Sequence, residues 1–242
     1  MRPLPFPVKA WFDTFVVLFF SIDKNKMMEQ LPYPLNPDCY KEHALLAVAI
    51  VKTKNFRPSF LPSWMGMKFN LVGYRFLSTY QLNETKSIRG LKIIKSQTDQ
   101  KFMKFFGDKL SQYKFNYNPI KIETRDDLVI IEGEGIDIKL RVHENPSNTP
   151  LPTQSVFENW PSARKYAGPL LYTFEINMFQ KQISITEGTR KNWTPKPIEV
   201  ISYDLEFLKQ ENISSLQPML SAAFQVTNIP YSWKKATIQK FA

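Results

Sequence analysis

The chain has 242 residues, 43% of them hydrophobic and 14% aromatic, with 18 prolines against 8 glycines and a formal net charge of +10. This composition excludes a disordered chain, and the absence of a Gly/Ser-rich linker favours one β-rich domain over two smaller ones. The basic residues are scattered, with only Lys234-Lys235 resembling a patch, so no nucleic-acid partner is expected; the single cysteine, Cys39, excludes an internal disulfide and is compatible with a cytoplasmic setting.

In chain order, residues 1–37 read as an N-terminal extension and residues 38–242 as the domain. The apolar run Trp11–Phe20 is too short to span a bilayer and is interrupted by Asp13. The polar stretch Ser21–Lys26 that follows offers no cleavage site of the signal-peptide kind. Trp11, Phe15 and Phe19 fall at helical spacing, which predicts a helix docked on the domain.

His43–Lys52 and Lys68–Leu82 then have the length and composition of strands, the second with β-branched and aromatic residues on both parities. A turn at Asn83–Ser87 leads into a strand over Ile88–Ser96, where alternation puts Arg89, Leu91, Ile93 and Lys95 on one face. Asp99 is the expected N-cap of a helix through Tyr113, since Phe102, Phe105, Phe106, Leu110 and Tyr113 recur every three or four residues. Lys109 falls within that stripe, its ammonium expected to snorkel to water.

Ile120 and Ile122 enter a hairpin turning at Asp126-Asp127, and a second turn at Glu132–Gly135 leads to Ile136, Ile138, Leu140 and Val142 in strict alternation, a β-meander. A short helix over Trp160–Ala167 starts with Pro161 in its first turn and ends at Gly168. Strands follow at Leu170–Ile176 and Ile183–Glu187, then an extended Pro195-Lys-Pro197, a helical turn at Leu205–Gln210 and a last strand at Ala222–Val226. The fold class is therefore mainly β with short helical inserts, of the α+β kind.

Two stretches combine tryptophan, arginine and glycine: Phe157–Phe174 and Ile183–Ile198. Glu187 shares parity with Ile183 and Ile185, so it is expected on the buried face, where an ionised carboxylate needs a partner such as Arg190 or Arg164. The same arginines, with Arg75, are suited to a two-pronged hydrogen bond to a ligand carboxylate between apolar walls of Trp160 and Trp193.

Gly107-Asp-Lys-Leu110-Ser-Gln-Tyr113, on a helix after a strand and ahead of a meander, resembles the central segment of acetoacetate decarboxylase; Leu61-Pro62 before it also fits. The two Trp/Arg/Gly stretches are similar to an uncharacterised branch of the same superfamily. The resemblance covers roughly Glu42–Trp233 and implies an acetoacetate decarboxylase-like antiparallel β-barrel. The family's segment ends in an aromatic, a proline and two adjacent lysines, the first of which forms a Schiff base with the substrate ketone. Gly107, Leu110 and Tyr113 match it, but Asp108 and Lys109 replace an arginine and a glutamate, and Lys114, Phe115 and Asn116 stand where the proline and two lysines belong. A nucleophilic lysine needs its pKa lowered by several units, through burial or a neighbouring cation, and no second cation adjoins Lys114.

His43 and His143 are too few for a three-histidine metal site, and no nucleotide fingerprint occurs, so neither a metal nor another cofactor is expected. The expected function is binding of a small organic anion or ketone in the barrel cavity, by a protein leaning away from catalysis. Decarboxylase-like imine chemistry at Lys114 or Lys95 is the alternative, and a basic interaction module a third. A homo-oligomer is compatible with each.

Overall fold

The computed structural model describes residues 4–103, 115–166, 168 and 170–241. The strands among the described residues are β1 (Val8–Asp23), β2 (Asn36–Pro37), β3 (Cys39–Tyr40), β4 (His43–Pro58), β5 (Met67–Asn83), β6 (Lys86–Thr98), β7 (Phe115–Tyr117), β8 (Lys121–Arg125), β9 (Leu128–Gly133), β10 (Ile136–Arg141), β11 (Tyr172–Asn177), β12 (Gln182–Arg190), β13 (Lys196–Pro197), β14 (Glu199–Leu205), β15 (Met219–Trp233) and β16 (Thr237–Lys240). Short helices occupy Lys24–Gln30, Trp160–Arg164, Glu206–Lys209 and Glu211–Ser214.

The hydrogen-bonded path β15-β1-β4-β5-β6-β11-β12 returns to its first strand, because β12 also pairs with β15 through Gly188↔Trp233, Thr189↔Ser232 and Arg190↔Tyr231. The ladder thus closes into a barrel, which removes its open edges. All its pairings are antiparallel except β6 with β11. The predicted meander forms a separate four-stranded sheet, β14-β10-β9-β8.

That second sheet explains the composition of the central strands. Val16, Leu18, Phe20 and Ile22 of β1 and Leu46, Val48 and Ile50 of β4 share one apolar cluster with Val129, Ile131, Ile138 and Leu140 of the meander. The alternate residues, Phe15, Val17 and Phe19 of β1 with Leu45, Ala47, Ala49 and Val51 of β4, belong to a second cluster inside the barrel. A strand covered on both faces reads as a continuous apolar run rather than an alternating one.

The helix predicted for the N-terminal extension is therefore corrected. Residues 8–23 form a strand lying between β4 and β15 within the barrel wall. An i, i+4 repeat is shared by a helix face and a strand face, so Phe15 and Phe19 fit both. Trp11 points to the other side because the register shifts between Phe12 and Thr14. The strand predicted over Ala222–Val226 is longer than expected, running over Met219–Trp233, and a further short strand, β16, follows it.

The chain is helical at residues 101–103 and not at Asp99 or Gln100; residues 104–113 of the predicted helix, with Lys109 and the Gly107–Tyr113 motif, lie outside the described residues. The Asp99 carboxylate accepts hydrogen bonds from the backbone N–H (2.8 Å) and side-chain amide (3.0 Å) of Asn70, tying β5 to the end of β6.

Candidate functional site

Inside the barrel lies a cavity of about 500 Å³. Its walls are largely aromatic and aliphatic, with Phe15 from β1, Val51 and Phe56 from β4, Phe69 and Leu71 from β5, and Trp233 from β15 among them. Small inward side chains, Ala47 and Ala49 on β4 and Thr173 and Thr186 on β11 and β12, leave the space open. Among the described lining residues the only charged side chains are Arg75 and Arg190, with no lysine, aspartate or glutamate among them.

Arg75 enters from β5. Gly73 stands two residues earlier on the same face, and a Cβ there would lie 3.1 Å from Nη2 and 3.3 Å from Nε of Arg75. The missing side chain thus lets the guanidinium lie along its own strand.

Arg190 enters from the end of β12, where the barrel closes. Its guanidinium carbon lies 4.0 Å from the ring centroid of Trp193 and 5.5 Å from that of Tyr231. Nη2 donates to the Leu170 carbonyl at 2.9 Å. Nε is buried with no hydrogen-bond partner among the described residues. Burial lowers the pKa of this guanidinium from its ordinary value, with Tyr231 acting in the opposite direction. A guanidinium nevertheless remains protonated in proteins. Among the described residues no carboxylate pairs with this buried cation, and an unsatisfied buried donor costs on the order of 1–3 kcal/mol.

The two Trp/Arg/Gly stretches do meet here. Gly168 and Leu170 come from the first, Arg190 and Trp193 from the second. Arg164 is held beside them, its Nη1 donating to the Gly168 carbonyl and Nη2 to the Trp193 carbonyl, both at 3.4 Å. It braces the wall without lining the cavity. Gly168 has φ +101, a conformation that glycine adopts without strain, and a Cβ there would lie 3.5 Å from Nη2 of Arg190.

Trp160 packs edge-on to Phe224 at 5.3 Å and donates from its indole N–H to the Thr149 carbonyl at 2.9 Å. It belongs to the interior apolar cluster but not to the cavity lining. Of the two tryptophans proposed as walls, Trp193 lines the cavity.

Glu187 is placed otherwise than expected. It does share parity with Ile183 and Ile185, but those isoleucines pack in the cluster outside the barrel. The Glu187 carboxylate pairs with Lys234 at 2.9 Å, not with Arg190 or Arg164. The inward residues of β12 are instead Thr186, Gly188 and Arg190, so on this strand the polar parity is the cavity parity.

Lys95 is also removed from the cavity. Tyr74 pairs with Lys95 but Arg75 pairs with Ile93, so a bulge at Ile94 breaks the alternation. Ile93 stays inside, while Lys95 projects to the outer side, where its ammonium lies 4.8 Å from the Phe207 ring centroid. Phe207 itself packs against Tyr74 outside the barrel at 4.4 Å. Lys114 lies outside the described residues. Phe115, one of the two positions where the resemblance would put the lysine pair, is buried and lines the cavity with a phenyl ring.

Sequence reasoning missed Thr173, Thr186, Ser96 and Tyr231 as lining residues. Thr173 and Thr186 are cross-strand partners, and β11 and β12 alternate apolar with polar, so the signal was present but assigned to the wrong face.

A closed barrel covered by a meander, with a cationic apolar interior, has the acetoacetate decarboxylase-like fold. An acetoacetate decarboxylase from Legionella pneumophila superposes with TM-score 0.63 at 9% identity, covering 99% of this chain and 90% of that one. An acetoacetate decarboxylase-like enzyme from Sphingomonas wittichii gives 0.59 at 11% identity, covering 97% and 94%. The enduracididine biosynthesis enzyme MppR, complexed with pyruvate, gives 0.61 at 8% identity, covering 97% and 90%. At these identities the likeness shows the fold alone. Compared with curated proteins, the chain finds no match.

The chain belongs to the DUF2071 family, described as "Uncharacterized conserved protein", whose model matches residues 9–239. The match includes β1, so the family's extent reaches well before the Glu42 at which the sequence resemblance began.

Proposed function

We propose that this protein binds a small organic anion or ketone inside its barrel, without the Schiff-base lysine pair of acetoacetate decarboxylase. The observation that carries this reading is the guanidinium of Arg190 at a largely apolar cavity, with no carboxylate or lysine among the described lining residues. In a low-dielectric interior, the Arg190 guanidinium, which has no carboxylate partner among the described residues, favours a ligand that brings one. Trp193 and Tyr231 hold Arg190 in place, so little side-chain entropy is lost when the anion arrives. Phe115 at one of the expected lysine positions supports binding over imine chemistry, because a phenyl ring supplies no nucleophile.

The test is a thermal-shift and calorimetric screen of the full chain against carboxylates, keto acids and ketones. Binding that is lost in Arg190→Gln supports the reading. Failure of every organic anion and ketone to bind overturns it. Borohydride trapping with acetoacetate or pyruvate adds a second readout, since a reduced adduct on any lysine would replace binding by imine catalysis.

A further inference from the structure

The cavity is far larger than its charged anchor needs. A space of about 500 Å³ equals the liquid volume of roughly seventeen water molecules at ≈ 30 Å³ each. A keto acid the size of pyruvate or acetoacetate fills only a small part of it. The remaining wall is aromatic, aliphatic and thioether: Phe12, Phe15, Phe56, Met67, Phe69 and Trp233. An apolar void of this size loses dispersion contacts on every side, and water inside it finds few partners.

The lining also continues to the surface. Leu4, Phe6, Leu61 and Met65 line the same cavity. Met65 is 45% exposed, and the neighbouring Phe60 and Trp64 are 70% and 81% exposed. The apolar track therefore runs from the arginines in the barrel to a mouth whose rim is itself apolar. Methionines at Met65 and Met67 suit a flexible guest, because the thioether chain repacks at low cost.

We infer that the ligand is an amphiphilic monocarboxylate with a long apolar tail, of the fatty-acid class, its carboxylate on Arg190 and its tail along the aromatic wall. This rests on the anion-binding reading above and narrows it. Arg190 is, with Arg75, one of the two charged side chains among the described lining residues, and its Nη2 already serves the Leu170 carbonyl. Its planar guanidinium suits the oxygens of a carboxylate. The tail then fills what the head leaves empty.

The experiment titrates the delipidated full chain with butanoate, hexanoate, octanoate, decanoate and dodecanoate, with decan-1-ol as the uncharged control and with acetoacetate and pyruvate beside them. Affinity is expected to rise about fourfold for each added methylene until the cavity is full, since each buried methylene contributes ~0.8 kcal/mol. Decanol is expected to bind at least about tenfold more weakly than decanoate, and Arg190→Gln to erase most of that difference. The acid-to-alcohol comparison on the unaltered chain stands even if Arg190→Gln fails to fold. Acetoacetate or pyruvate binding as tightly as decanoate overturns the inference and leaves the small-anion reading intact. Equal binding of acid and alcohol overturns the arginine anchor, and no binding by any acid or ketone overturns both readings.

Discussion

The guanidinium of Arg190 stacks on the indole of Trp193, 4.0 Å from the ring centroid, while its Nη2 donates to the Leu170 carbonyl at 2.9 Å. Two separated pieces of chain are joined by this arrangement: the approach to β11, and the end of β12 with the loop that follows it. Arg190 also stands opposite Tyr231 in the pairing that closes the barrel. One residue therefore holds the closure together and presents a cation to the cavity.

Arg190→Lys is expected to keep the fold and lose at least about tenfold in affinity for a carboxylate ligand. An ammonium supplies a charge but neither the planar fork nor the same stacking on Trp193. Calorimetry on the two proteins checks this, and unchanged affinity would show that the fork is not the anchor.

Ala49→Leu is expected to abolish ligand binding while raising or leaving unchanged the melting temperature of the unliganded protein. Ala49 lines the cavity at 1% exposure, so the larger side chain grows into space already present. Circular dichroism melts alongside a ligand titration measure both effects; retained binding would locate the ligand elsewhere.

Gly90→Ala is expected to destabilise the fold by about 1–3 kcal/mol, the range for overpacking a tight site. A Cβ there would lie 2.6 Å from the Tyr172 carbonyl oxygen and 2.6 Å from the Phe174 ring. The backbone atom cannot swing away, and Gly90 is a partner in the parallel pairing of β6 with β11. Urea unfolding gives the value.

Tyr74→Phe is expected to leave stability unchanged or raise it by up to about 1 kcal/mol. The Tyr74 hydroxyl is buried without a hydrogen-bond partner among the described residues, and burial pushes its pKa upward. Removing it relieves a desolvated polar group while keeping the ring packed on Phe207. A clear loss of stability would show that the hydroxyl has a partner in solution.

Stability is expected to rise as the solution is acidified from neutral pH. Burial raises the carboxyl of Glu175 above the ordinary carboxylate range, outweighing Lys92, whose ammonium pairs with it at 2.8 Å. Burial raises Asp38 likewise, against Arg89 at 2.7 Å. The folded state then binds protons that the unfolded chain, with carboxyl pKa near 4, does not, so unfolding free energy falls as pH rises through the folded pKa. The window runs from the unfolded value up to the raised folded values. Glu175→Gln is expected to flatten this part of the profile, measured by denaturant unfolding between about pH 4.5 and 7.

Much of the candidate site was legible in the residues. Arg75, Arg190 and Trp193 were singled out and all line the cavity. Arg164 and Trp160 support that wall from behind. Glu187 was misread because apolar parity was equated with the interior, whereas on β12 Ile183 and Ile185 pack outside the barrel and the polar parity faces the cavity. Lys95 was misread because a bulge at Ile94 reverses alternation, and nothing in Ile93-Ile94-Lys95 announces it.

The local pattern of residues by itself determined the strands β4, β5, β6, β11 and β12, the hairpins with their turns at Asp126 and Gly135, and the departure from the decarboxylase lysine pair, since each depends on near neighbours in the chain. The acetoacetate decarboxylase-like fold came from the resemblance carried by Gly107–Tyr113 and the two Trp/Arg/Gly stretches. Only the tertiary structure decided that residues 8–23 are a wall strand, that the ladder closes at Arg190 and Tyr231, and which parity faces the cavity. Those outcomes depend on what covers each face, and for β1 the two covers come from β-strands more than a hundred residues away as well as from its neighbours.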